Sequence, residues 1–155
     1  MNTNEMTIDT FAPVGFLTIE RFNSEGKLLE LRKVKNTVVT TGKNFIAGAM
    51  IKTTTDSPAA MTHMAIGTGT VAVAAGDTAL GTQNGARVTF SEAAAAASNA
   101  VTYKATFSSA YSGAITEAGV FNAATAGTML CRTVFSAVNK TTSDTISITW
   151  TITVS

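Results

Sequence analysis

Ser143-Asp144-Thr145-Ile146-Ser147-Ile148-Thr149-Trp150-Thr151-Ile152-Thr153-Val154 decides how the rest of this chain is read. Ile146, Ile148, Trp150, Ile152 and Val154 fall on every second position, and only Ser and Thr stand between them. Side chains on a β-strand alternate faces with period two, so the stretch predicts one long strand, apolar on one side and hydroxylated on the other. Its β-branched residues suit a pleated surface and disfavour a helix. Burying the five apolar side chains would contribute roughly 8–15 kcal/mol, an upper bound because unfolded chains are already partly compact. A strand of this kind is a central or long edge strand of a mainly antiparallel structure.

Working back from it, the preceding segments show the same grammar. Val14–Phe22 and Lys27–Lys35 are separated by Asn23-Ser24-Glu25-Gly26, which is turn chemistry, and predict a β-hairpin. The mixed charges from Glu20 to Lys35 argue for a solvated hairpin face rather than a phosphate-binding patch. Met61–Ile66, Ala86–Glu92, Asn99–Ser108, Ile115–Phe121 and Thr128–Phe135 predict further strands, with Ser109–Gly113 and Ala123–Gly127 as turns. Ala93–Ala97 has helical propensity but is too short to hold a helix alone, and predicts a loop or single turn. Ser136–Thr142 leads into the last strand.

One helix is expected, over Thr40–Ile51. Thr41 is its cap, Phe45, Ala49 and Met50 share a face, and Gly42 and Gly48 each weaken it by roughly 1 kcal/mol relative to Ala. Lys52–Ala60 is a polar loop and Val71–Asn84 has no period. The expected fold is thus mainly β, an antiparallel β-sandwich or barrel-like domain with one short helix.

The 155 residues suit one domain with a single core, here residues 14–155, preceded by residues 1–13. That first segment, MNTNEMTIDTFAP, reads either as a loose tail or as an extended arm reaching onto a neighbouring subunit, with Met6, Ile8 and Phe11 as its contact residues. Hydrophobic content is 45% and charged content only 14%, which predicts an ordered chain that hides surface against neighbours. A net charge of +1 gives no electrostatic case for nucleic acid or an anionic membrane. Cys131 is the single cysteine, so no internal disulfide can form. No long apolar run and no basic-then-apolar N-terminus predict a spanning segment or signal peptide.

Candidate chemistry is sparse. Gly67-Thr68-Gly69-Thr70-Val71-Ala72 fits G-x-G-x-x-A, but Val-Ala-Val-Ala-Ala-Gly follows it instead of an amphipathic helix, so a tight turn is expected and no cofactor. His63 is the only histidine, which leaves no imidazole pair for zinc, and no G-x-S-x-G elbow accompanies it. Cys131 lies in an apolar strand and reads as a small buried residue. Asp77 and Glu117 are isolated acids without the dense spacing of a calcium loop. Glu117 carries the most information, because alternation puts it on one face with Ile115, Gly119 and Phe121. A carboxylate there must be paired or hydrogen-bonded. It is expected to tie down a backbone loop such as the Gly67–Thr70 turn, or to pair with Arg87 or Arg132. Glu117, Gly119 and Trp150 are therefore structural candidates, and no catalytic, metal or cofactor residue is assigned.

Two motifs carry a resemblance. Met61-Thr62-His63-Met64-Ala65-Ile66-Gly67-Thr68-Gly69-Thr70 followed by Asp77-Thr78-Ala79-Leu80-Gly81 is one; Ile115-Thr116-Glu117-Ala118-Gly119-Val120-Phe121-Asn122 followed by Thr141–Thr145 and the terminal strand is the other. Over about residues 36–154 the chain resembles small virion structural proteins of tailed bacteriophages, most of all capsid decoration (cement) proteins. The resemblance implies a non-enzymatic protein made in the bacterial host cytoplasm. It would bind the major capsid protein on the outer capsid surface of the virion and associate with itself, as a homotrimer, to reinforce the shell. A tail-fibre or baseplate-associated receptor-binding or adaptor domain is the alternative it implies. It transfers no catalytic residue.

Overall fold

The computed structural model describes residues 12–50, 58–97 and 99–154. The strand elements run in the order β1 (Pro13–Phe22), β2 (Leu28–Lys35), β3 (Thr37–Val38), then helix α1 (Thr40–Ala49) and β4 (His63–Gly67). They continue through β5 (Val88–Thr89), β6 (Glu92–Ala97), β7 (Ala100–Phe107), β8 (Gly113–Phe121), β9 (Met129–Lys140) and β10 (Thr145–Val154). These form two antiparallel five-stranded sheets packed face to face, one ordered β2-β1-β10-β7-β6 and the other β3-β9-β8-β4-β5. The fold is a β-sandwich with one short helix.

β10 lies at the centre of the first sheet. It pairs with β1 from Pro13↔Val154 to Phe22↔Thr145, and with β7 from Ile146↔Phe107 to Thr153↔Ala100. Ile146, Ile148, Trp150 and Ile152 are buried between the sheets, where each contributes roughly 1.5–3 kcal/mol of burial. Val154 does not join them: at the strand's last turn of the pleat it is 37% exposed. Trp150 sits between Leu17 and Tyr103 in register and is fully buried. The main core also takes Leu17 and Ile19 from β1, Met64 and Ile66 from β4, and Ala118 and Val120 from β8.

Three local expectations are corrected. Ala93–Ala97 is part of strand β6, paired to β7 through Ala93↔Tyr103 and Ala94↔Thr102. Five alanines cannot nucleate a helix, whereas the free edge of β7 offers the segment an antiparallel ladder, interrupted only by a register shift between Ala95 and Ala97. β9 runs on through Ser136–Lys140, so that segment is strand rather than lead-in. α1 starts at Thr40 behind Val39, without a side-chain cap; the Thr41 hydroxyl donates instead to the Met129 carbonyl at 2.9 Å. Its packed face is Gly42, Phe45 and Ile46, spaced i, i+3, i+4, while Met50 is 81% exposed. Ile51 lies outside the described residues.

Gly42 has a purpose that propensity hides. The helix lies so close to β9 that a β-carbon at this position would collide with the Leu130 backbone. Only glycine allows that approach.

Candidate functional site

Every residue of β8 from Ile115 to Phe121 is buried, although a sandwich strand should show one face to water. The chain between β4 and β5 is responsible, because it folds across the outer face of the second sheet. Val73 and Leu80 from this loop cover Phe121, Met129, Ala65 and Val39, making a second, smaller core outside the sandwich.

Glu117 anchors the loop. Its Oε1 accepts the Gly69 N–H at 3.0 Å and the Thr82 N–H at 2.7 Å. Its Oε2 accepts the Gly81 N–H at 2.9 Å and two bonds from Arg132, Nε at 2.9 Å and Nη2 at 2.7 Å. Arg132 extends the network, its Nη1 donating to Asp77 Oδ2 at 2.7 Å and its Nη2 to the Val71 carbonyl at 3.1 Å. Asp77 Oδ2 also accepts the Ala74 N–H at 3.0 Å, and the Thr116 hydroxyl donates to the Gly69 carbonyl at 2.8 Å. One carboxylate and one guanidinium thus hold both ends and the middle of the loop.

The electrostatics follow. Burial pushes the Glu117 carboxyl up, but the Thr82 and Gly81 N–H groups and Arg132 outweigh it and hold it below its ordinary value. Asp77 is lowered chiefly by the Ala74 N–H, against a desolvation cost and with help from Arg132. Burial works against the Arg132 charge, yet its two carboxylates raise its pKa overall.

The same clamp explains the glycines of the Gly67-Thr68-Gly69 stretch. A β-carbon at Gly67 or Gly69 would run into the Glu117 side chain, so the carboxylate occupies the space those residues leave empty. No helix opens there; β4 ends at Gly67 and a loop follows. Gly119 pairs with Arg132 across the ladder, and a β-carbon there would press on Leu80 and the Phe121 ring. Sequence alternation grouped Ile115 with Glu117, Gly119 and Phe121, but the β8–β9 register shifts between Ile115 and Glu117. Ile115 consequently packs in the main core and Phe121 in the outer one. Arg87, the other expected partner of Glu117, instead stacks on Phe121 at 3.6 Å from the ring centroid and donates to the Ala123 and Ala126 carbonyls.

The remaining chemistry-bearing groups are separate from this clamp. His63 is half-buried, with Nδ1 2.7 Å from the Thr62 hydroxyl and Nε2 3.4 Å from that of Thr89. Cys131 is fully buried, which pushes its thiol well up. Among the described residues no group of three His, Cys, Asp or Glu side chains could hold a metal ion, and no helix is long and apolar enough to cross a membrane. The charges expected to form a solvated hairpin face are partly spent: Arg32 donates to the Ser136 and Ala137 carbonyls of the opposite sheet, and Arg21 bonds Glu30 and Asp144. The Met6, Ile8 and Phe11 contacts lie outside the described residues.

Two surface features remain open to partners. Edge strand β2 exposes Leu28, Leu29 and Leu31. Beside it lies a groove of about 810 Å³, within the size range of ligand clefts. Phe16, Val34 and Val38 supply its apolar surface, and Lys33, Lys35 and Lys43 its charge; none of its described lining residues is acidic.

No protein-family model matches this chain, and no curated protein or solved structure matches it.

Proposed function

We propose that this protein is a non-enzymatic structural component of a tailed-phage virion, binding the major capsid protein on the outer capsid surface and reinforcing it. The Glu117–Arg132 clamp is the observation that carries this reading. Glu117 and Arg132, both buried, are held by one another and by backbone groups of the loop, which suits a part that must stay rigid. The two oxygens of Glu117 already accept five hydrogen bonds, which leaves that carboxylate little capacity to act on a substrate. The two motifs that resemble decoration proteins contain Gly67–Thr70, Asp77 and Gly81 in one and Glu117 in the other, while Arg132 lies between the parts of the second. The exposed leucines of β2 provide surface for contact with a shell.

A direct test adds the purified protein to capsids lacking it and reads occupancy by co-sedimentation and cryo-electron microscopy. Saturable, symmetry-ordered density on the capsid exterior supports the reading, and so does a higher temperature of capsid disruption. Density confined to the tail tip or baseplate would move the protein to the receptor-binding or adaptor role. An absence of any particle-bound density would end both.

A further inference from the structure

We propose that the lysine-lined groove beside β1 and β2 receives the N-terminal segment Met1–Phe11 of a second copy of this chain, so that copies are linked by exchanged arms. Three observations converge on this occupant. The groove combines apolar Phe16, Val34 and Val38 with Lys33, Lys35 and Lys43, and no described acid lines it. The lysines are exposed and lack ion-pair partners among the described residues; Lys33 rests over the Phe16 ring at 3.9 Å, beside the apolar surface. An occupant should therefore be apolar and acidic together. Met1–Phe11 matches: its only charged side chains are Glu5 and Asp9, and Met1, Met6, Ile8 and Phe11 are its large apolar ones.

The third observation concerns direction. Ala12 and Pro13 are themselves part of the groove wall, and Pro13 is the first residue of β1, paired with Val154. A residue preceding proline is driven to extended backbone, so Ala12 continues the line of β1 outward, and a return into the same copy's groove would need a reversal within Met1–Phe11. Eleven residues reach up to roughly 36 Å when extended, enough to enter the groove of an adjacent copy. Linkage by charge pairs over apolar contacts should weaken with added salt without vanishing. This inference concerns contacts between copies and does not rest on the capsid reading: self-association can fail while capsid binding survives, and the reverse.

Sedimentation velocity on the full chain tests it with two charge reversals, Lys33→Glu/Lys35→Glu/Lys43→Glu in the groove and Glu5→Lys/Asp9→Lys in the segment. The unsubstituted protein is expected to self-associate, and each variant alone to lose affinity by about tenfold or more. Mixing the two variants should restore association, because each segment then meets a groove of opposite charge. Unchanged melting temperatures of the variants verify that the substitutions leave the fold intact. A chain that stays monomeric at every concentration overturns the proposal. So does association indifferent to both reversals, or a mixture that fails to recover.

Discussion

Glu117 and Arg132 are diagonal neighbours across β8 and β9, and a single carboxylate oxygen, Oε2, accepts both Nε and Nη2 of the guanidinium at 2.9 and 2.7 Å. Their side chains are 0% and 3% exposed, so neither charge can turn to water if the other is removed. Losing one member of such a pair is far costlier than the pair's own net worth.

Glu117→Gln is accordingly expected to destabilise the protein by about 3 kcal/mol, read from the urea midpoint at neutral pH. The amide keeps an acceptor for the loop N–H groups but leaves the Arg132 charge uncompensated. The loop between β4 and β5 should also become a preferred cleavage site in limited proteolysis. A variant with the parent's melting temperature would mean the clamp is dispensable.

Acid should act through the same residues. Glu117 and Asp77 both titrate below their ordinary values of 4.5 and 3.8 in the folded state, so the unfolded chain takes up protons first as pH falls. Their contribution is complete at neutral pH, begins to fade near those ordinary values and disappears as pH drops through the lowered ones. A urea midpoint that is flat above about pH 5 and falls steeply below it is expected. Glu117→Gln should shallow that acid limb. A variant with an undiminished slope would place the acid sensitivity elsewhere.

Gly42→Ala should run against helix propensity. Alanine in a helix interior is ordinarily worth about 1 kcal/mol over glycine. Here its methyl group meets the Leu130 backbone, which is not free to move because β9 lies in the ladder between β3 and β8. A net loss of about 1–3 kcal/mol is expected, measured by chemical denaturation. Any gain in stability would show that α1 can lift off β9 at little cost.

Trp150→Ala removes the largest fully buried side chain from the middle of β10 and should cost about 3–5 kcal/mol. Thermal melting followed by circular dichroism checks it. A loss under about 1 kcal/mol would mean the cavity collapses or the site is looser than its zero exposure indicates.

Much of this architecture is legible along the chain because strands announce themselves by local alternation. The hairpin Pro13–Lys35 and the strands β7, β8 and β10 follow from period-two patterning and turn residues alone. Ala93–Ala97 misleads because alanine carries helical propensity but little pattern, and its state is decided by a neighbouring strand edge. Thr41 misleads because a hydroxyl at a helix start can reach a neighbouring strand's carbonyl as easily as its own first turn. The candidate clamp is half legible. A lone carboxylate among Ile115, Gly119 and Phe121 demands partners, and Arg132 and the Gly67–Thr70 turn are nameable as candidates. Gly81, Thr82 and Asp77 are not, because the loop that delivers them has no periodicity and its path depends on contacts made after the sheets have formed.

By itself, the sequence determined the β class, the alternating apolar face of Thr145–Val154 that buries Trp150, and the need of Glu117 for compensation. These depend on neighbours two to four residues away and on the general cost of burying a charge. Tertiary structure alone decided that β10 is central rather than at an edge, that a register shift separates Ile115 from Phe121, and that one loop closes over β8 to make Glu117 inaccessible. Those outcomes join residues tens of positions apart, as Glu117 with Gly69 and Arg132 with Asp77. Such pairings are settled by packing and backbone hydrogen-bond satisfaction across the whole domain, for which no local pattern exists.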